Sequence, residues 1–63
     1  MKLYILKVNI YNFRNKGFED IKVRIKAMEL SEAALETAID MIARGCIMLD
    51  FSLQGAIELK NNE

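Results

Sequence analysis

The chain lacks histidine, proline and tryptophan, and Cys46 is the single cysteine among its 63 residues. A lone cysteine cannot close an internal disulfide, and one cysteine without histidine supplies no plausible zinc ligand set. This length leaves room for one domain, residues 1–63, and a domain so small buries only about 60% of its unfolded surface. Because disulfide and metal cross-links are excluded, we expect self-association to complete the hydrophobic core.

An excess of charge of one sign is also lacking, since nine Lys and Arg balance nine Asp and Glu. Nucleic-acid binding by overall charge is therefore disfavoured, and any basic surface must be local. Hydrophobic residues make up 52% of the chain, yet the apolar run after Lys2 ends at Lys7, too short for a signal peptide or membrane span. We expect a protein of the bacterial cytoplasm without membrane contact. Its Ile, Lys and Asn content is typical of a low-GC bacterium or its phage.

Period-2 alternation of apolar residues predicts two strands in the first half of the chain. The first runs from Lys2 to Phe13 and the second from Phe18 to Met28. The segment from Arg14 to Gly17 predicts a hairpin connection, with Asn15 and Gly17 available for positive φ. The first strand has an apolar stripe at its even positions, Tyr4, Leu6, Val8 and Ile10, and the second alternates apolar residues with Lys22, Arg24 and Lys26.

A helix is predicted from Glu32 to Arg44. Ser31 is the expected N-cap, Leu30 and Leu35 have the spacing of a hydrophobic staple, and Gly45 is the expected C-terminal cap. The side facing the core is expected to comprise Leu35, Ala38, Ile39 and Ile42, flanked by Ala34 and Met41.

A third strand is predicted from Ile47 to Leu59, with a bulge or bend expected at Gln54 and Gly55. The tail from Lys60 to Glu63 is expected to fray. The apolar residues of this strand share one odd-numbered register: Ile47, Leu49, Phe51, Leu53, Ile57 and Leu59.

These elements predict an α+β fold of ββαβ type, a three-stranded sheet in the order 2-1-3 with one helix packed on one face. The opposite face is expected to mix apolar and basic side chains, which usually marks an interaction site. It is expected to carry Leu3, Ile5, Tyr11, Phe13 and Met48 among Lys7, Lys22, Arg24 and Lys26. We expect a homodimer or higher oligomer through the third strand's edge or the open faces, with Leu3, Ile5, Met48 and Phe51 at the interface.

Catalytic chemistry has little support in the sequence. Cys46 follows the helix at its negative end, which disfavours the thiolate, and no histidine is available as a base. The chain has no glycine-rich phosphate loop, no metal set and no evident pair of carboxylates in a pocket. We therefore expect neither catalytic residues nor a cofactor, and a protein that is not an enzyme.

Two charged groups support binding hypotheses. Glu32, Glu36 and Asp40 lie at i, i+4 and i+8 of the helix, which indicates either a solvated face or a contact for a basic surface on a partner protein. The alternative is single-stranded nucleic acid on a basic sheet face of Lys22, Arg24 and Lys26, with Tyr11 and Phe13 nearby as aromatic platforms. The zero net charge and the lack of an aromatic between these cations disfavour this alternative.

The strand-to-helix junction, Val23 to Ala27 and then Ser31 to Glu36 with Ala38, resembles that of small ββαβ proteins of phages and mobile elements, the DpnD/PcfM-like group among them. The resemblance implies no catalytic residues and a phage setting, in which small proteins commonly bind and block a host protein, including components of antiviral defence. The leading hypothesis is a non-enzymatic homo-oligomeric binding protein that inhibits or modulates a host protein. A nucleic-acid-binding accessory and a structural subunit of a larger assembly are the alternatives.

Overall fold

The computed structural model describes residues 1–60, which form one open sheet with a helix on one side. The elements are β1 (Lys2–Asn12), β2 (Gly17–Ala27), α1 (Leu30–Ala43) and β3 (Cys46–Glu58). β1 lies in the middle and is antiparallel to both neighbours, in the order β2-β1-β3. The predicted ββαβ fold and strand order are therefore confirmed. No helix of this part of the chain combines the length and apolarity that crossing a bilayer requires. Of the tail expected to fray, residues 61–63 lie outside the described part.

The core lies between the central strand and the helix. Leu6 and Val8 have no exposed surface, and Tyr4 and Ile10 on the same side of the strand are almost as deeply buried. This is the period-2 pattern of a strand covered on one face. Burial of each such side chain stabilises the fold by about 1.5–3 kcal/mol. The complete buried cluster is Tyr4, Leu6, Val8, Ile10, Ala27, Ala33, Met41 and Cys46.

The helix turns a different side to the sheet from the one its pattern predicts. Its buried residues are Ala33, Thr37 and Met41. The predicted inward stripe is wrong, because its large members are mostly exposed: Leu35 at 62%, Ile39 at 59% and Ile42 at 66%. The large side chains of β1 already fill the space, so small helix residues let the helix pack closely. The Thr37 hydroxyl donates to the Ala33 carbonyl at 2.8 Å, which satisfies this buried polar group.

The helix begins earlier than predicted, because Glu29 rather than Ser31 occupies the N-cap position. Glu29 has an extended backbone, with φ −138° and ψ 159°. The Glu32 side chain reaches back, and its Oε1 accepts a hydrogen bond from the Met28 N–H at 2.7 Å. This bond satisfies a free amide just before the helix in the manner of a capping box. The predicted hydrophobic staple is also wrong, since Leu35 faces solvent.

The C-terminal end of the helix follows the prediction. Gly45 has φ +81°, a conformation that strains other residues, and its N–H donates to the Ile42 carbonyl at 3.0 Å. The Gly45 carbonyl in turn accepts a hydrogen bond from the Phe13 N–H at 3.1 Å. This bond ties the end of the helix to the hairpin.

The hairpin connection uses positive φ at a position that the sequence did not indicate. Lys16 has φ +54°, whereas Asn15 and Gly17 do not have positive φ, so that prediction is wrong. A turn that begins at Asn12, before Lys16, accounts for this difference. The Asn12 side-chain oxygen accepts hydrogen bonds from the N–H groups of Arg14 at 2.9 Å and Asn15 at 3.2 Å. This local Asx-type turn sets the chain direction before Lys16.

The third strand changes its alternation twice. Relative to β1 it has two register shifts, at which Leu49 and Gln54 are left without a partner. The bulge expected at Gln54 is confirmed, but the single apolar register predicted for the strand is wrong. Met48 pairs with Ile10 and faces the helix, whereas Ile47 lies on the other side of the sheet. Each bulge inserts one residue and so exchanges the two faces.

Candidate functional site

Exposed hydrophobic side chains are the feature of residues 1–60 that most strongly suggests a binding site. Eleven large hydrophobic residues are exposed in this part of the chain. The accessible surface is 4691 Å², above the roughly 4,100 Å² typical of a folded chain of 7.2 kDa. Such exposure usually marks interaction sites. Two surfaces carry most of it, one on the helix and one on the sheet.

The first surface, called here the outer helix face, consists of Leu35, Ile39 and Ile42. At about 100° per residue, these three side chains project within an arc of roughly 60°. Their arc lies nearly opposite the buried side of the helix. Their spacing of i, i+4 and i+7 is typical of a helix that packs on a partner. α1 therefore has two apolar sides, a small-residue side on the sheet and a large-residue side towards solvent.

The predicted acidic residues form one flank of the outer helix face. Glu32, Glu36 and Asp40 project about 90° from the apolar stripe, all on the same side of it. Asp40 forms a salt bridge with Arg44 at 3.0 Å, and both side chains are more than half exposed. Such an exposed i, i+4 pair contributes only about 0.3–0.5 kcal/mol. Within residues 1–60, Glu36 has no ion pair, so negative charge lies directly beside the apolar stripe.

The second surface, called here the open face, is the side of the sheet away from the helix. Residues that pair directly across antiparallel strands share one face. The strand pairing therefore arranges this face in rows that run from β2 through β1 to β3. The rows are Lys26–Leu3–Ile57, Arg24–Ile5–Gly55, Lys22–Lys7–Ser52, Asp20–Asn9–Asp50 and Phe18–Tyr11–Ile47.

Charges on the open face are sorted by row. Lys7 lies directly opposite Lys22, a like-charge pair that is unfavourable across strands. In the next row Asp20 and Asp50 flank Asn9, whose amide donates to the Asp20 carboxylate at 2.8 Å. No ion pair within 4 Å forms on this face in the described part of the chain. A depression of about 210 Å³ lies between these two rows, smaller than the cavities that usually hold small molecules.

Three aromatic rings cluster at the hairpin end of the open face. Tyr11 contacts Phe13 and Phe18 edge to face, with ring centroids 5.0 Å and 5.1 Å apart. Tyr11 is partly buried, whereas the two phenylalanines are exposed. The row containing Asp20 and Asp50 separates these rings from the cations. The proposed nucleic-acid residues thus share one face, but two carboxylates interrupt it.

The residues predicted for the oligomer interface fall on two different sides of the sheet. Leu3 and Ile5 lie on the open face and are partly buried. Met48 and Phe51 lie on the helix side, where they pack against the buried core. The expectation that Met48 belongs to the open face is therefore wrong, because the bulge at Leu49 reverses the alternation. Ile57, which was expected to share one register with Phe51, lies on the open face instead.

Groups that could perform chemistry are few within residues 1–60. No cluster of three or more His, Cys, Asp or Glu side chains lies close enough to hold a metal ion there. Cys46 is buried, with its sulfur 4.0 Å from the Arg44 carbonyl oxygen. Comparison with protein-family models, curated proteins and solved structures finds no match for the chain. The functional proposal therefore depends on the two exposed surfaces.

Proposed function

We propose that the chain is a non-enzymatic binding protein whose outer helix face binds a basic amphipathic segment of another protein. The observation that carries the proposal is the exposure of Leu35, Ile39 and Ile42, each about 60% or more, beside an acidic flank. A partner segment with apolar residues along one side and Lys or Arg beside them complements this surface in both respects.

Charge favours a different protein over a second copy on this surface. In an antiparallel pair about a two-fold axis through the stripe, the acidic flanks of the two helices would lie on the same side, so Glu36 of one copy would lie close to Asp40 of the other. In a parallel pair, each acidic flank would face Ser31, Ala34 and Ala38, which are uncharged. α1 itself holds no Lys or Arg. A second copy therefore supplies only Arg44 after its helix, and this residue already pairs with Asp40 of its own chain, whereas a basic partner supplies further cations.

The apolar stripe is large enough to matter for binding. Fully burying one Leu or Ile side chain contributes about 1.5–3 kcal/mol, and these three have roughly three fifths of their surface still to bury. Their combined gross contribution is about 3–5 kcal/mol before the entropic costs of association. Attraction between the acidic flank and a basic partner adds orientation and a faster association rate.

As the partner we propose a host protein, in particular a component of antiviral defence that the chain blocks by occupying a basic surface. Support comes from the resemblance of the strand-to-helix junction to phage proteins of this size. Expression of the chain in a defended bacterium should then raise the plating efficiency of a sensitive phage. Ile39→Glu should abolish this effect, and Met28→Glu, at an exposed position outside both surfaces, should preserve it. Equal protection of the phage by both variants would contradict the proposal.

The binding surface itself is tested by affinity capture with matched variants. The wild-type chain and Met28→Glu should retain the same host protein, Ile39→Glu should lose it, and Glu36→Lys should retain much less. Far-UV circular dichroism confirms that each variant is folded. A host protein that is retained equally by all four chains, or none retained by the wild type, would count against the outer helix face as the site.

Nucleic acid is the second candidate, favoured by the position of Lys7 beside Lys22, Arg24 and Lys26 on the open face. If it is the ligand, single-stranded DNA or RNA should bind with an affinity that falls steeply with salt, and Arg24→Glu should abolish binding. Binding that survives this change, or that is absent at low salt, rules the open face out as a nucleic-acid surface.

A further inference from the structure

We propose that the open face is a homodimer interface in which two copies pack sheet against sheet with their strands antiparallel. The two-fold axis runs across the strands, between the row of Lys7 and the row of Asn9. The occupant of this face is thus a second copy of the chain. This interface does not use the outer helix face and stands independently of the proposed function.

The inference depends on the charges of the two central rows, which are Lys22–Lys7–Ser52 and Asp20–Asn9–Asp50. With the axis between these rows, the lysine row of each copy packs on the aspartate row of the other copy. Lys22 of one copy then lies over Asp20 of the other, and Lys7 lies over Asn9. The symmetry repeats each contact. The Lys7–Lys22 repulsion within each chain is therefore compensated by carboxylates that the monomer does not bring within ion-pair distance.

The same pattern disfavours the other face-to-face arrangement. A two-fold axis parallel to the strands would place each row on the identical row of the second copy. Lys7 would then meet Lys7 near the axis, and Asp20 would meet Asp50. Like charges would face each other in both central rows, which is unfavourable at an interface. Only the axis that crosses the strands converts the sorted rows into opposite-charge contacts.

The ends of the face support the same arrangement. Rotation about the proposed axis brings Ile5 of one copy over Tyr11 of the other, and Gly55 over Ile47. Ile5 of one copy thus packs on an aromatic ring of the other copy. Gly55 has no side chain and leaves room for Ile47. The Arg24 guanidinium falls over the exposed Phe18 ring, a pair suited to a cation–π contact.

The area is sufficient for a specific dimer. Three strands about 4.8 Å apart and the four rows that meet across the axis span roughly 27 by 14 Å. Side-chain relief raises the accessible area above this flat projection, so two copies bury on the order of 1,000 Å² together, the lower limit for a specific interface. Both outer helix faces then point away from the dimer, which makes it bivalent towards a partner.

A charge exchange between neighbouring rows tests the interface. Asp20→Lys alone places a new lysine side chain against Lys22 of the second copy, and Lys22→Asp alone places two aspartates together. Each variant should weaken dimerisation about 100-fold. An equimolar mixture of the two variants should recover a 1:1 heterodimer, because each lysine again faces an aspartate.

Equilibrium sedimentation of the wild type, each variant and the mixture measures these states. Glu58→Lys and Lys16→Asp, which make the same charge changes outside the open face, should leave the homodimer intact. The inference is overturned if the wild type is monomeric at millimolar concentration, if the single variants remain dimers, or if the mixture fails to recover a dimer.

Cysteine cross-linking gives a second test that requires no charge reversal. In a Cys46→Ala background, an oxidised mixture of Lys7→Cys and Asn9→Cys chains should form the mixed disulfide, because these positions face each other across the axis. Lys7→Cys alone should cross-link poorly. A strong disulfide between two Lys7→Cys chains would indicate the two-fold axis parallel to the strands and refute the proposed axis.

Discussion

The orientation of α1 can be tested by shortening two side chains that lie two positions apart on the same helix. Ile39 is 59% exposed and Met41 is 2% exposed. The sequence pattern assigns Ile39 to the core side, with Met41 at its edge, and the structure reverses these assignments. Ile39→Ala and Met41→Ala therefore form a matched pair, each with a distinct expected cost in the free energy of unfolding.

The expected magnitudes follow from burial. About two fifths of Ile39 is buried, so truncation removes roughly 1 kcal/mol of the 1.5–3 kcal/mol that full burial supplies. The better helix propensity of alanine offsets about 0.4 kcal/mol of this loss in stability. Met41→Ala leaves a cavity between helix and sheet and should cost about 2–5 kcal/mol. Because a single small core supplies only about 3–5 kcal/mol, Met41→Ala should come close to unfolding the chain.

Urea denaturation followed by far-UV circular dichroism measures both effects. With a slope of about 1 kcal/mol/M for a small domain, Ile39→Ala should move the midpoint by roughly 0.5 M and Met41→Ala by at least about 2 M. A repeat at tenfold higher protein concentration separates fold stability from association. Equal losses, or a greater loss for Ile39→Ala, would refute the observed orientation of the helix.

Four further substitutions test individual backbone and packing features. Gly45→Ala should cost about 1 kcal/mol or more, because Gly45 has φ +81°, whereas Gly17→Ala should be nearly neutral. Lys16→Gly should raise the melting temperature by a few degrees, since it relieves positive φ in the hairpin. Thr37→Leu should destabilise by about 1–3 kcal/mol through overpacking against β1, where Thr37 is 1% exposed, and thermal melts measure all four.

The strands could be predicted because their alternation follows directly from burial on one face. Tyr4, Leu6, Val8 and Ile10 of β1 are buried as expected, and the order β2-β1-β3 is the predicted one, with β3 parallel to β2 and β1 between them. The two bulges in β3 could be predicted only in part. Gly55 indicates the one at Gln54, whereas nothing in the composition around Leu49 distinguishes a bulge from continued alternation.

The helix orientation could not be predicted because α1 has two sides that fit a core. Large residues at Leu35, Ile39 and Ile42 give the stronger periodic signal, and small residues at Ala33 and Thr37 give the weaker one. The choice depends on how much volume the sheet supplies, which emerges only when the strands are paired. A stripe of small residues opposite a stripe of large ones is the signal that could have indicated the outer helix face.

In the proposed arrangement, the outer helix face binds another protein while the open face binds a second copy. Photo-crosslinking amino acids, placed in separate chains at position 39 and at position 24 within host cells, report on both contacts at once. Position 39 should cross-link to a different protein at a segment rich in Lys or Arg, and position 24 should cross-link to the chain itself. Only self-cross-links or none from position 39, or capture of the foreign protein by position 24, would contradict this arrangement.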